Sequence, residues 1–105
     1  MPGVDFRLLR ESIPLEDVLG ELGFEAVQER GDVWRGVCPI TGSSNPQSKA
    51  FKVDVSRQMW FCHRCQKGGN VLDLWMAVKG MSIYNAAIDM CTALGYDVPY
   101  LDNVG

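Results

Sequence analysis

The sequence has a single histidine, His63, only four cysteines, and no apolar run near the roughly 18 residues that a membrane-spanning helix needs. No membrane partner is therefore expected. No apolar leader marks secretion, so four cysteines do not read as the disulfide framework of a small secreted domain. A cytoplasmic location is expected instead. Internal repeats and low-complexity stretches are absent, which argues against solenoid and tail-like organisation. The acids do not gather either. Asp54, Asp73 and Asp89 form no recognisable cluster, and no Glu or His is placed by motif as a general base. An enzymatic centre is not expected. Positive charge is also short, with 10 Lys and Arg against 13 Asp and Glu, a net of −3.

What is present is ordinary globular material, 47% hydrophobic and 22% charged over 105 residues. That length suits one domain spanning residues 1–105, with a modest core helped by a staple. Its charge is unevenly placed. Between Arg30 and Lys67 lie seven basic residues (Arg30, Arg35, Lys49, Lys52, Arg57, Arg64 and Lys67) and two acids, Asp32 and Asp54, a net of +5. Set against the total of −3, the flanks must carry −8. A basic centre in an acidic remainder is a patch that polyanions can use, or the solvated surface of a sheet.

Three of the cysteines fall inside this segment, as Cys38 and the pair in Cys62-His63-Arg64-Cys65. Thiolates in a C-x-x-C knuckle reach one metal from a single turn, and Cys38 supplies a third sulfur from another strand, which suits zinc. A redox pair, a disulfide and plain buried thiols are the competing roles. The redox motif normally opens a helix, whereas this one follows an aromatic strand and precedes Gly68 and Gly69. Cys91 reads differently, as a small core residue in an apolar helical stripe with Ala87 and Leu94.

Periodicity gives an α+β fold, a small antiparallel sheet with helices at both chain ends. Leu15, Val18, Leu19 and Leu22 follow helical spacing, so a helix is expected from Pro14 to Leu22 with Ser12 as cap. A shorter one precedes it around Asp5–Arg10. Phe24–Glu29 and Val33–Val37 read as strands joined at Arg30-Gly31-Asp32. Thr41–Ser48 reads as a polar loop. Phe51, Val53 and Val55 alternate with polar residues as a half-buried strand. Gln58–Cys62 pairs back, with Met59 and Phe61 on one side and Trp60 on the other. Asn70 and Asp73 form a capping-box start for a helix that buries Val71, Leu74, Trp75 and Val78. Ser82 starts a last helix with Ile83, Ala86, Ala87, Met90 and Leu94 inward, ended by Gly95.

This order of elements resembles the zinc-binding domain of bacterial DNA primases. The likeness is carried by VDFRLLRESIPLEDVLGELG, Val37-Cys38-Pro39, Ala50-Phe51-Lys52-Val53, Gln58-Met59-Trp60-Phe61-Cys62, Cys65, Gly69-Asn70-Val71-Leu72-Asp73 and GMSIYNAAIDMCTALGYDVP. It extends over nearly the whole chain. The resemblance implies zinc as cofactor, held by Cys38, Cys62 and Cys65. The family's His ligand, three residues after the first Cys, is here Thr41. Water, Asn45 of the longer loop, or His63 are the candidates for a fourth donor.

The resemblance further implies a non-catalytic module that binds single-stranded DNA template beside a catalytic primase domain or another replication protein, in a primase or a primase-like protein of a mobile element. The residues expected to do this are Arg35, Lys52, Arg57, Trp60, Arg64 and Lys67, through phosphate contacts and base stacking. The competing function is a protein–protein interaction domain that kept the fold, with a degenerate or absent zinc site.

Overall fold

Alternation at Phe51, Val53 and Val55 demands a sheet with one dry face. In the computed structural model, which describes residues 3–42, 45 and 47–101, five strands form one antiparallel sheet in chain order. They are β1 (Ala26–Arg30), β2 (Val33–Gly36), β3 (Phe51–Asp54), β4 (Met59–Cys62) and β5 (Lys67–Gly69). Helices α1 (Phe6–Ser12) and α2 (Leu15–Glu21) precede the sheet, and α3 (Val71–Lys79) and α4 (Ile83–Leu94) follow it. The α+β class with helices at both ends is thus observed. Residues 43, 44 and 46 of the expected polar loop lie outside the described residues.

Strand pleating sorts the side chains. Phe51 pairs with Cys62 and Val53 with Trp60, and all four are buried. Phe51 and Trp60 stack with ring centroids 5.4 Å apart. Lys52 pairs with Phe61 and Asp54 with Met59 on the opposite, outer face. One core cluster joins the inner face to Leu15, Val18 and Leu19 of α2, Leu74 and Trp75 of α3, and Ala87 and Met90 of α4. Cys91 is buried within it, as its helical stripe required.

Caps fix where the helices begin. The Asn70 side chain accepts from Leu72 N (2.9 Å) and Asp73 N (3.1 Å), and Asp73 Oδ2 accepts from Asn70 N (3.0 Å), the expected capping box. Trp60 Nε1 donates to Asn70 O at 2.8 Å, which ties β4 to the start of α3. Ser82 caps α4 as expected, although Ile83 stays 42% exposed at its first turn.

The start of α2 departs from expectation. Ser12 belongs to α1, and Pro14 is the N-cap without any side-chain bond. The capping acceptor comes from 43 residues away. Leu15 N donates to Gln58 Oε1 at 2.5 Å, and Gln58 Nε2 donates to Glu16 Oε1 (2.6 Å) and Val55 O (2.8 Å). Gln58 holds this place from a left-handed backbone in the β3–β4 turn, φ 56°. Gln58→Ala removes the part-buried acceptor of the Leu15 N–H. A loss of about 1–3 kcal/mol is expected, read as a lower urea midpoint at unchanged slope.

The chain ends are joined near these helices. Val4 bridges Tyr100, Asp5 N donates to Pro99 O at 2.6 Å, and Leu101 N donates to Gly3 O at 2.7 Å. Among the described residues no helix is long and apolar enough to cross a membrane.

Candidate metal centre and the outer sheet face

Two turns bring the thiols together. After β2 the chain turns at Cys38, closed by Gly42 N donating to Cys38 O at 2.8 Å. At the end of β4 it turns again, closed by Gln66 N donating to Cys62 O at 2.8 Å, while His63 N donates to Ala50 O at 2.9 Å and pins the knuckle to the start of β3. Each turn aims an N–H at its own sulfur, Ile40 N at Cys38 Sγ and Cys65 N at Cys62 Sγ, both at 3.4 Å. Such donors stabilise thiolates.

The sulfurs of Cys38, Cys62 and Cys65 all lie within 4.8 Å of one another, the one His, Cys, Asp and Glu group of this kind among the described residues. Cys38 and Cys65 sulfurs are 3.7 Å apart. Tetrahedral zinc with sulfurs at about 2.3 Å requires them about 3.8 Å apart. The donor set therefore fits zinc, and all four cysteines are free of disulfides. The knuckle lies between two strands, away from any helix start, unlike the redox motif.

Electrostatics set the two buried thiols apart. Burial acts to raise the Cys38 pKa, but the N–H groups of Thr41 and Ile40 and the Thr41 side chain prevail and leave it lowered. Burial pushes Cys62 up to about 11, opposed by the Cys65 N–H and reinforced by the neighbouring thiols. A divalent cation reverses this local logic by favouring thiolate outright. Cys91, away from the cluster, is raised by burial alone.

Thr41 and the two protein candidates for the fourth position, Asn45 and His63, differ in their surroundings. Thr41 Oγ1 lies 3.6 Å from Cys65 Sγ. Asn45 Oδ1 accepts from Gln47 N at 3.0 Å within its own loop. The His63 ring packs edge-on against Phe61, centroids 5.0 Å apart, and is no member of the cluster.

The outer face assembles the charge. Register aligns Gln28, Arg35, Lys52, Phe61 and Gly68 in one row across all five strands, with Arg30, Val33, Asp54 and Met59 in the next. Two shallow hollows meet at Lys52. One, of roughly 540 Å³, is walled by Lys52, Arg57, Met59, Phe61 and Gly68. The other, of roughly 500 Å³, is walled by Arg30, Arg35, Lys49 and Lys52. Asp54 is the acid among these walls. It accepts from Ser56 Oγ (2.7 Å) and Arg57 N (3.2 Å), so its pKa is lowered first by the serine hydroxyl. These bonds tighten the β3–β4 turn that presents Arg57.

Gly68 shapes the first hollow. A Cβ there would meet Trp60 O at 2.7 Å and Phe61 Cδ2 at 2.8 Å. The Phe61 ring thus lies over a backbone that has no side chain to displace it.

Of the six residues expected to meet DNA, Arg35, Lys52 and Arg57 share this face. Arg64 is exposed in the knuckle, and Lys67 pairs with Cys62 and so belongs to the opposite face at the edge strand. Trp60 must be corrected. It is 4% exposed on the core face, stacked on Phe51 and bonded to Asn70, so its ring is closed to bases. Phe61, 38% exposed, is the aromatic that β4 presents outward. Arg30 and Lys49 join it there.

A family model of the CHC2 zinc finger matches residues 4–105. The chain is 26% identical over 98 residues to a DNA primase of Geobacillus stearothermophilus, covering 93% of this chain and 16% of that protein. It is 24% identical over 96 residues to a DNA primase of Treponema pallidum, covering 91% of this chain and 15% of that one. Among solved structures it is similar to the zinc-binding and RNA polymerase domains of the Aquifex aeolicus primase, with a TM-score of 0.69 and 26% identity. That match covers 95% of this chain and 23% of the other. The chain thus spans about a sixth of the curated relatives' length.

Proposed function

The chain belongs to the CHC2 zinc finger family, and from that membership we propose that it is a zinc-bearing module that binds single-stranded DNA on the outer face of its sheet, without catalytic activity of its own. Cys38, Cys62 and Cys65 hold the zinc. The metal cross-links the turn after β2 to the knuckle after β4, and so keeps β2, β3 and β4 in the register that lines up Arg35, Lys52 and Phe61.

That row carries the reading. Arginines and lysines contact phosphates and position a strand whatever its sequence. A ring exposed between them stacks an unpaired base. Arg35, Lys52 and Arg57, with Arg30 and Lys49 beside them, surround Phe61 and Met59 on one face. A catalytic primase domain, or another replication protein, is the proposed neighbour, in keeping with relatives that are DNA primases. Free thiols in a metal site suit the reducing cytoplasm.

The protein-interaction reading has one observation in its favour, the exposed Leu8, Tyr100 and Leu101 near the joined chain ends. It expects no response of single-strand binding to charge on the sheet. The test is titration of a labelled single strand at several salt concentrations. Affinity should fall as salt rises, and the Lys52→Glu, Arg57→Glu variant should bind at least about 10-fold more weakly. Its slope of log affinity against log salt should be shallower by about 0.7 for each phosphate that the variant no longer neutralises. Equal binding by the two proteins, or none at low salt, overturns the proposal.

A further inference from the structure

We propose that the fourth coordination position of this zinc site is an exchangeable one, held by water beside the Thr41 hydroxyl and able to take an added nitrogen-donor ligand such as imidazole. The inference rests on the zinc reading above and concerns what completes the site. Three thiolates and zinc carry a net charge of −1, and a fourth donor closes the tetrahedron. The described residues place three cysteines there and no fourth His, Cys, Asp or Glu. His63, the sole imidazole of the sequence, is engaged with Phe61. Cys91 is buried in the helical core.

Thr41 stands beside the thiol cluster. An oxygen about 2.1 Å from zinc lies about 3.6 Å from a sulfur about 2.3 Å from the same ion in a tetrahedron. Thr41 Oγ1 is 3.6 Å from Cys65 Sγ, the separation that a fourth donor on the same ion would take. A neutral hydroxyl is a poor zinc donor, and Thr41 is exposed. Water competes for the corner on equal terms, with the hydroxyl as its hydrogen-bond partner. Structural zinc sites are closed by four protein ligands, whereas sites that keep a water can exchange it. Binding of imidazole replaces a Zn–O bond by a Zn–N bond and releases the water. No electron changes hands.

The full chain loaded with cobalt(II) gives a visible absorption that reports the donor set, independent of any DNA-binding activity. Added imidazole should shift the wild-type bands saturably. Thr41→His should show the shifted spectrum without imidazole and should not respond to it. In chelator competition, Thr41→His should hold zinc at least about 10-fold more tightly, the lower end of what even outer-shell partners contribute. Wild type that takes up one equivalent of cobalt yet ignores imidazole overturns this inference alone, and needs no variant to fold. Equal zinc affinity of a folded Thr41→His overturns it as well. Wild type that binds neither cobalt nor zinc overturns the zinc reading and this inference with it.

Discussion

Removing zinc, or replacing Cys62 by Ser, is expected to lower the thermal midpoint by more than about 12 °C, which for a domain of this size corresponds to about 3 kcal/mol. Structural zinc contributes an apparent 10–16 kcal/mol or so in zinc-finger peptides, comparable to the whole stability of a small domain, about 5–15 kcal/mol. An incomplete protein ligand set lowers that contribution but does not erase it. The loss should be uneven. The helical core around Trp75, Ala87 and Met90 shares one cluster with Cys38 and Cys62 but has its own caps at Asn70 and Ser82. Among the described residues the turns at Cys38 and Cys62–Cys65 meet through weak side-chain contacts, Cys38 and Thr41 against Cys65. Helical circular dichroism should therefore outlast the protection of the Cys38, Cys62 and Cys65 thiols when chelator is added. Measuring the midpoint, the metal content and the number of reactive thiols on one sample decides the matter. A metal-free protein with an unchanged midpoint and protected thiols would contradict the structural role.

Much of this architecture is legible because it is local. The alternation at Phe51 and Val53, the box at Asn70 and Asp73 and the C-x-x-C spacing each act within a few residues, and each appears where the pattern put it. The misses are non-local. Gln58 caps α2 from a turn 43 residues downstream, and no local pattern carries such a bond. Ser12 satisfied the local rule for a cap, but the preceding helix extends through it. Strand β5 went unread because Lys67-Gly68-Gly69 carries no strand pattern. The pairing with β4 admits only glycine there, since a Cβ at Gly68 would meet Trp60 O and Phe61 and one at Gly69 would meet Asp73. Similarly, the sign of the segment from Arg30 to Lys67 was legible, but its division between two faces was not. Arg35 and Lys52 fall in one register row, whereas Lys67 pairs with buried Cys62.

Trp60 is the instructive case, because the signal was present. Trp60 and Cys62 are two apart in a strand and so share a face. A Cys62 buried at a structural metal fixes that face as the inner one, which leaves Met59 and Phe61 outside. The two neighbouring aromatics should consequently separate by phenotype. Trp60→Ala empties a core position, abandons the stack on Phe51 and leaves Asn70 O without its indole donor. A cost of about 3–5 kcal/mol is expected. Phe61→Ala removes a ring that is 38% exposed on the outer face of the sheet, so its stability change should stay within about 1 kcal/mol. Its effect falls on the strand of DNA instead, with stacking worth about 1–3 kcal/mol per base, or about 5- to 150-fold in affinity. Denaturant unfolding and single-strand titration on both variants give four numbers, and the pattern matters more than any one. Trp60→Ala should fail the first measurement and Phe61→Ala the second. A stable Trp60→Ala that binds DNA poorly, beside a Phe61→Ala that binds normally, would move the contact surface to the other side of the sheet.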